Sequence, residues 1–391
     1  TRRRRNFKES FKNIYTMSIK TATKIKVVGI GGAGGNAISR MASCKIQGVE
    51  LIAINCDAQD LQKAKAHQKL RIGRSLTKGL GAGMNPDVGR QAAEENRDEI
   101  HEVLKGADLV FVTYGLGGGV GTGAGPIVAE AARDVGALTV GVVTRPFAFE
   151  GQQRSRIAGE GLDRLQEKVD TLITIPNDKL LQTIDRNTSL IEGFKVVDDV
   201  LRQAVQGISD IIVTPGLVNV DFADLKAIMS GAGSALMGIG RASGDDRAVN
   251  AAKMAINSPL LEVSINGAKG VIFNVAGGSD MTMMEINEAA KIITDSIDPQ
   301  AKVIFGAVTD NQLKKGEIKI TVIAAGFGDH VFKREEKKEK TETRIDQVTR
   351  QPEVQTPASK KPATFASQVS QIDNSADEEW DIPAFIRKKM K

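Results

Sequence analysis

Apolar residues along this chain come in two rhythms. Short unbroken runs of aliphatic side chains, the mark of strands buried on both faces, alternate with stretches in which apolar residues recur every three or four positions, the mark of helices with one buried side. Ile25–Ile30 is the first unbroken run, and Asn36 to Ser43 then reads as helix. Val49–Asn55, Leu109–Thr113, Leu138–Val143 and Thr171–Ile175 continue the strands. Strands separated by helical stretches predict an α/β fold built on a Rossmann-like, doubly wound parallel sheet. Residues 74–85, with Gly73 before them and Gly79, Gly81 and Gly83 among them, read as a flexible loop.

The longest helical rhythm is Leu190, Phe194, Val197, Leu201, Val205, Ile208 and Ile212, stopped by Pro215-Gly216. Such a helix, about 25 residues at 1.5 Å each, spans roughly 37 Å and crosses a whole domain. Beyond it, Arg247–Ile256 and Met283–Ile297 read as helices. Leu260–Ile265, Val271–Val275, Val303–Val308 and Ile318–Ala324 read as the four strands of a second, α+β domain. The pattern divides the chain into a basic N-terminal extension over 1–23, a nucleotide-binding domain over 24–213, the α+β domain over 214–330, a linker over 331–376 and a tail peptide over 377–391. The linker is rich in charge and then in Gln, Pro, Ser and Thr, a composition that predicts disorder. Apolarity returns only at Trp380-Asp381-Ile382-Pro383-Ala384-Phe385-Ile386.

Composition narrows the class. At 391 residues, with 41% hydrophobic and 4% aromatic side chains, the chain is an ordinary globular protein built from small aliphatic residues. The net charge of +5 belongs to its ends: residues 1–26 hold nine Lys/Arg against one Glu, whereas 27–330 hold 31 against 36. A negative body argues against nucleic acid as a partner. Two cysteines, Cys44 and Cys56, fit a reducing cytoplasm and make no metal site. No apolar run reaches the 18 to 20 residues, roughly, of a membrane span, and the basic opening segment lacks the long apolar stretch expected of a secretory signal. Met17-Ser18 reads as a natural start, so residues 1–16 read as an extension. His67, His101 and His330 show no pairing that suggests a triad or a metal.

The forty glycines cluster. Gly29-Ile30-Gly31-Gly32-Ala33-Gly34 follows a strand and opens a helix, the G-x-G-x-x-G turn that brings backbone N–H groups to a phosphate. Glu50 or Asp57 stands at the spacing of a dinucleotide fingerprint, so this run alone fits a nucleotide-cofactor oxidoreductase as well as a nucleotide hydrolase. The second run decides more. Gly115-Leu116-Gly117-Gly118-Gly119-Val120-Gly121-Thr122-Gly123-Ala124-Gly125 also follows a strand, with Pro126 behind it. It reads as a nest of inward-turned amides at a helix N-terminus. It holds no Lys and is not a Walker A loop. Two such loops on successive strand–helix units point to a triphosphate.

Residues 117–123 closely resemble the GGGTGTG signature of the tubulin/FtsZ family of GTPases. The Ile25–Asn36 run, Thr144-Arg145-Pro146-Phe147-Ala148-Phe149-Glu150-Gly151, Asn219-Val220-Asp221-Phe222-Ala223-Asp224 and the closing Asp381–Arg387 segment resemble it too. Val120 stands where Thr is usual, and Ala33 where Gly is usual. The resemblance implies that Gly32, Ala33, Gly34, Gly35 and Asn36 line the nucleotide and that Gly119, Val120, Gly121 and Thr122 form the phosphate loop. It further implies that Glu150 and Arg154 meet ribose and phosphates, and that Asn177, Phe194 and Asp198 form the base pocket. An Asp carboxylate accepts both guanine N1–H and N2–H, which adenine cannot offer, and a Phe ring can stack.

Neither glycine run holds a carboxylate or His to organise a water. Asp221 and Asp224, spaced i, i+3, are the candidate catalytic pair, with Asn219 beside them. One of the two is also expected to cap the next helix. If the long helix carries this loop to the far end of the domain, a neighbour stacked head to tail must supply it, with Mg²⁺ offsetting the phosphate charge. The resemblance implies GTP and GDP as ligands, self-assembly at the midcell division site on the inner face of the membrane, and a tail that binds membrane-associated division adaptors through Ile382, Pro383, Phe385 and Ile386. A non-hydrolysing GTP-bound scaffold is a further alternative.

Overall fold

The computed structural model describes residues 23–327, apart from 47, 183, 185–186, 214–219, 262–263 and 311–312, and the side chain of residue 190 is likewise left aside. Expectations for the extension, linker and tail, including Ile382, Pro383, Phe385 and Ile386, therefore lie outside the described residues, as do Asn219 and His330.

One ten-stranded sheet organises the protein. In chain order its strands are β1 (Ile25–Ile30), β2 (Val49–Asn55), β3 (Gln68–Arg71), β4 (Leu109–Gly115), β5 (Leu138–Arg145), β6 (Thr171–Pro176), β7 (Gly233–Ser243), β8 (Gly270–Gly277), β9 (Lys302–Thr309) and β10 (Glu317–Ala325). They lie in the order β3-β2-β1-β4-β5-β6-β7-β10-β8-β9. The first six pair in parallel, and β7 joins β6 in parallel through the short register Thr171↔Gly233 to Ile173↔Ala235. β10 is antiparallel to both β7 and β8, and β9 runs parallel to β8.

The helices are α1 (Gly31–Ser43), α2 (Ala58–Lys63), α3 (Arg74–Thr77), α4 (Pro86–Glu95), α5 (Arg97–Leu104), α6 (Gly119–Asp134), α7 (Gln152–Gln166), α8 (Asn177–Leu180), α9 (Leu190–Val213), α10 (Phe222–Met229), α11 (Arg247–Ile256) and α12 (Met283–Thr294). Successive residues of β1 serve opposite faces, as a two-residue period requires. Ile25 and Val27 join a core with α1 and α9, whereas Val28 and Ile30 join a second core with α4, α5 and α6. Burial on both faces is why the parallel strands read as unbroken apolar runs. It also puts α1 and α6 on opposite faces, so the order 3-2-1-4-5-6 opens a crevice at the carboxyl ends of β1 and β4.

Three expectations need correction. The described residues of Leu260–Ile265 form no strand: Leu260 lies in a turn and Ile265 in a bend, and both side chains are buried. The fourth strand of that half is β7, hidden from the pattern because Gly238 and Gly240 replace apolar residues. A Cβ at either glycine would run into the α11 backbone, at Ala255 and Ala251. The 74–85 segment is more ordered than a loop: α3 occupies its start, and left-handed φ values at Lys78, Gly79, Gly81 and Gly83 turn the rest. Finally, the first helix begins inside the glycine run, at Gly31 rather than Asn36.

Candidate functional site

The crevice between β1 and β4 is built from two helix N-termini. α1 starts at Gly31 (φ +69°) and α6 at Gly119, and neither has a side-chain cap or an acid in its first turn. Their leading N–H groups are the donors a helix leaves unpaired, and the helix dipoles point the same partial charge at the gap. The two ends nearly touch: a Cβ on Gly31 would sit 3.2 Å from the Gly121 nitrogen and 3.5 Å from Val120 Cβ. Gly32, Ala33 and Asn36 are exposed around this point, while Gly34 is buried where α1 presses on Gly29 and the Thr113 carbonyl. Gly34 is therefore a packing glycine as much as a loop glycine.

The second run departs from the nest reading. Only its first residues form the loop; from Gly119 onward it is helix, and Val120 and Thr122 are buried. Gly119 and Gly123, one turn apart, let α6 pass the Ala82-Gly83 and Pro86 carbonyls, and Gly121 and Gly125 let it pass Tyr114. Close packing explains most of these glycines. Val120 contributes apolar packing at the junction of the loops, where a Thr would have brought a hydroxyl. The Thr122 hydroxyl accepts the Gly117 N–H at 3.0 Å and fixes the loop before the helix.

Beside the loops, Glu150 and Arg154 form a 2.6 Å ion pair. The Glu150 carboxylate also accepts the Phe147 N–H at 2.9 Å. Arg154 lies against Gly117 (φ +87°), so the pair borders the second loop. Asn177, the first residue of α8, is buried, and its Oδ1 has no hydrogen-bond partner. Phe194 is 43% exposed and meets the Phe147 ring edge-on at 5.8 Å. Phe149, exposed beyond it, stacks on Phe147 at 4.9 Å. Burial pushes the Asp198 carboxyl up to about 6, with Arg40 pulling it down and Asp199 adding a smaller upward push. Sequence reasoning named Phe194 but missed its aromatic neighbours, although both lie in the quoted 144–151 stretch. It also missed Asp60, whose carboxylate accepts Asn55 Nδ2 at 3.1 Å beside Gly32.

The fingerprint acids serve other ends. Glu50 pairs with Lys26 at 3.4 Å and with Gln68 at 2.6 Å, and Asp57 caps α2 through the Gln59 and Asp60 N–H groups. Asp221 and Asp224 are exposed at the opposite end of the sheet. Asp221 caps α10 by accepting the Ala223 N–H, so the capping role falls to the first of the two. Val213, ending α9, lies against Gly48 before β2, and the Met229 carbonyl at the end of α10 accepts from Thr171 at the start of β6. Both contacts mark the amino-terminal edge of the parallel strands.

Known proteins share this arrangement. The model of the tubulin/FtsZ family GTPase domain matches residues 24–185, and that of the FtsZ family C-terminal domain matches 233–328. An empty FtsZ dimer from M. jannaschii is similar with a TM-score of 0.76 and 45% identity, over 82% of this chain and 92% of that one. The chain belongs to the tubulin/FtsZ family. An M. jannaschii FtsZ carrying a tyrosine-for-tryptophan mutation is as similar, with a TM-score of 0.77, 45% identity and coverage of 82% and 96%. CetZ2 from Haloferax volcanii, solved as a GTPγS-bound protofilament, shares the fold at 22% identity and a TM-score of 0.68, over 83% and 99%. As a family member this FtsZ-like chain is a GTPase that binds guanine nucleotide, which sets aside the oxidoreductase alternative. The residues fit that ligand: two uncapped helix N-termini suit phosphates, and the Asn177 and Asp198 acceptors suit a base with N–H donors.

Proposed function

We propose that this GTPase polymerises head to tail and hydrolyses GTP at the junction between subunits. The observation that carries this reading is the placement of its two half-sites. The phosphate-facing helix ends and base-pocket residues lie at the carboxyl edge of the parallel strands, and Asp221 and Asp224 lie at the amino edge. From Asp198 to Val213 alone, α9 rises about 22 Å. A subunit therefore cannot bring its own carboxylates to its own phosphates; a copy stacked on the nucleotide can.

Gly32, Ala33, Gly34, Gly35 and Asn36 from the first loop, with Gly119, Val120, Gly121 and Thr122 from the second, hold the phosphates, chiefly through backbone N–H groups. Glu150 and Arg154 meet ribose and phosphate, and Asn177, Phe194 and Asp198 hold guanine. The neighbour's Asp221 and Asp224, with Asn219, orient the attacking water; Mg²⁺ arriving with the nucleotide would offset the phosphate charge. Catalysis is then positioning and electrostatics completed by assembly. Exposed Phe149, Leu181 and Phe194 ring the nucleotide end, and exposed Val303 and Phe305 lie on the amino-edge half of β9. Apolar patches at both ends suit a heterologous contact that repeats. Residues 24–213 act as the nucleotide half and 214–330 as the half bearing the catalytic loop. We place the polymer in the cytoplasm, as the division ring at midcell, with residues 377–391 binding membrane-associated adaptors through Ile382, Pro383, Phe385 and Ile386.

Phosphate release per molecule, measured against protein concentration at saturating GTP, tests the reading. It should rise steeply above an assembly threshold followed by light scattering. Turnover independent of concentration down to dilute monomer would rule out a shared site.

A further inference from the structure

We propose that Tyr114 is a positioning residue for the phosphate loop, and that the Gly121/Gly125 pair of α6 is the groove cut for its ring. Tyr114 lies in β4, one residue before the strand ends at Gly115, and is wholly buried. Its phenol cannot ionise near neutral pH, since burial pushes its pKa far up, and its hydroxyl has no hydrogen-bond partner. A buried hydroxyl without a partner carries a cost that leaves packing of the ring as the residue's contribution. The ring lies along α6. A Cβ on Gly121 would stand 3.1 Å from Tyr114 Cδ2, and one on Gly125 would collide with Cε1 and Cζ. Residues 121 and 125 are four apart and form one face of the helix. The ring thus sets how close the first two turns of α6 lie to β4.

That distance matters because of what α6 carries at its start. Its leading N–H groups abut Gly31 at the N-terminus of α1, with a Gly31 Cβ only 3.2 Å from the Gly121 nitrogen. On the other side, Gly119 and Gly123 hold α6 against the 82–83 loop and α4. The helix is clamped between that surface and the Tyr114 ring. Removing the ring frees one jaw, and the two sets of N–H donors lose their mutual placement. Positioned donors lose much of their value when displaced by even about 1 Å. This inference rests on the glycine loops holding the phosphates, but not on polymerisation or on the neighbour's carboxylates.

Three single variants and one combination test it, read by the Kd of a fluorescent guanine nucleotide at concentrations below assembly and by thermal melting without nucleotide. Tyr114→Phe keeps the ring and should bind within about twofold of the parent. Tyr114→Ala should weaken binding by about tenfold or more, with an apparent KM for GTP raised by a similar factor and kcat at saturating GTP little changed. Gly125→Ala in the parent should also weaken binding, because the new methyl meets the ring. In the Tyr114→Ala background the same methyl meets a hole, so the double variant should bind better than Tyr114→Ala alone. This reversal of sign is the signature of a shared groove. The proposal is overturned if folded Tyr114→Ala binds nucleotide like the parent, or if Gly125→Ala adds the same loss in both backgrounds. Should Tyr114→Ala fail to fold, the double variant still decides: a folded double variant with near-parental Kd supports the groove, and failure to recover either fold or binding overturns it. If the glycine loops do not hold phosphate at all, no variant will alter the preference for guanosine triphosphate over guanosine, which separates that failure from this one.

Discussion

Asp198 sits half-buried on α9, and no hydrogen-bond donor among the described residues meets its carboxylate. Its pKa, pushed up to about 6, has two consequences of opposite sign. A carboxyl held above its ordinary value of 3.8 adds stability while protonated, and that contribution is lost as pH rises through about 6. Binding runs the other way, because guanine offers donors and needs the ionised form. GDP affinity should fall about tenfold between pH 7 and pH 5, where roughly a tenth of a group with a pKa near 6 stays charged. Asp198→Asn should bind more weakly at pH 7 and lose most of this pH dependence; equal slopes in equilibrium titrations of both proteins would show that another group controls it. The proposed pocket was legible chiefly through the family resemblance: taken alone, Phe194 reads as a core ring and Asp198 as a solvated helix position, and only the glycine runs spoke for phosphate by themselves. Asp60 and Phe149 were not legible, since an acid near a strand end and a surface aromatic usually mean a cap and a stray ring. Only their distances to Gly32 and Phe147 single them out.

At the scale of elements, the glycines of α6 are the instructive case. From sequence the run reads as loop, because seven glycines in eleven residues lower helix propensity severely. Tertiary packing overrides that propensity, and what looked like freedom of the backbone is closeness of neighbours. Gly123→Ala should therefore destabilise the protein by about 1–3 kcal/mol, since its Cβ would strike the Pro86 carbonyl and come within 2.7 Å of the Arg90 nitrogen. Gly159→Ala in α7 meets nothing within 4 Å and should be neutral or stabilise by up to about 1 kcal/mol. Urea melts of the two variants distinguish packing from simple helix propensity; equal effects would discard the packing account. The long helix α9 was legible for the opposite reason. Its apolar positions kept a strict rhythm, and Val197, Leu201, Val205 and Ile208 are indeed buried. What periodicity missed is its second, polar seam. There Asp199 pairs with Arg202 at 2.8 Å and accepts Gln203 at 2.7 Å, and Gln203 in turn accepts Arg241 from β7. A charged seam looks solvated in sequence until β7, in the second half of the same sheet, is known to lie beside it. β7 itself was missed because its glycines serve α11 rather than the strand pattern.

For the whole molecule, the feature behind the proposed polymer is that Asp221 and Asp224 lie at the edge of the one sheet opposite the two helix N-termini, with α9 running between them. The head-to-tail contact proposed above is heterologous, and on that proposal each junction would use the nucleotide end of one copy and the Asp221/Asp224 end of the next. This permits a complementation experiment that no self-contained active site would pass. Asp224→Ala should bind GTP and assemble but release phosphate at least tenfold more slowly, because its loop fails the subunit below while its own pocket stays intact. Asp198→Ala should fail in the other half: a weakened pocket, an intact loop. In a 1:1 mixture about a quarter of the junctions join a sound pocket to a sound loop. The mixture should then hydrolyse GTP well above the mean of the two variants measured separately, and the excess should vanish below the assembly threshold seen by light scattering. A mixture whose rate is only the average of its parts would mean that each chain completes its own site. In that case α9 would have to bring Asp224 to the phosphates by a rearrangement larger than the height of the sheet.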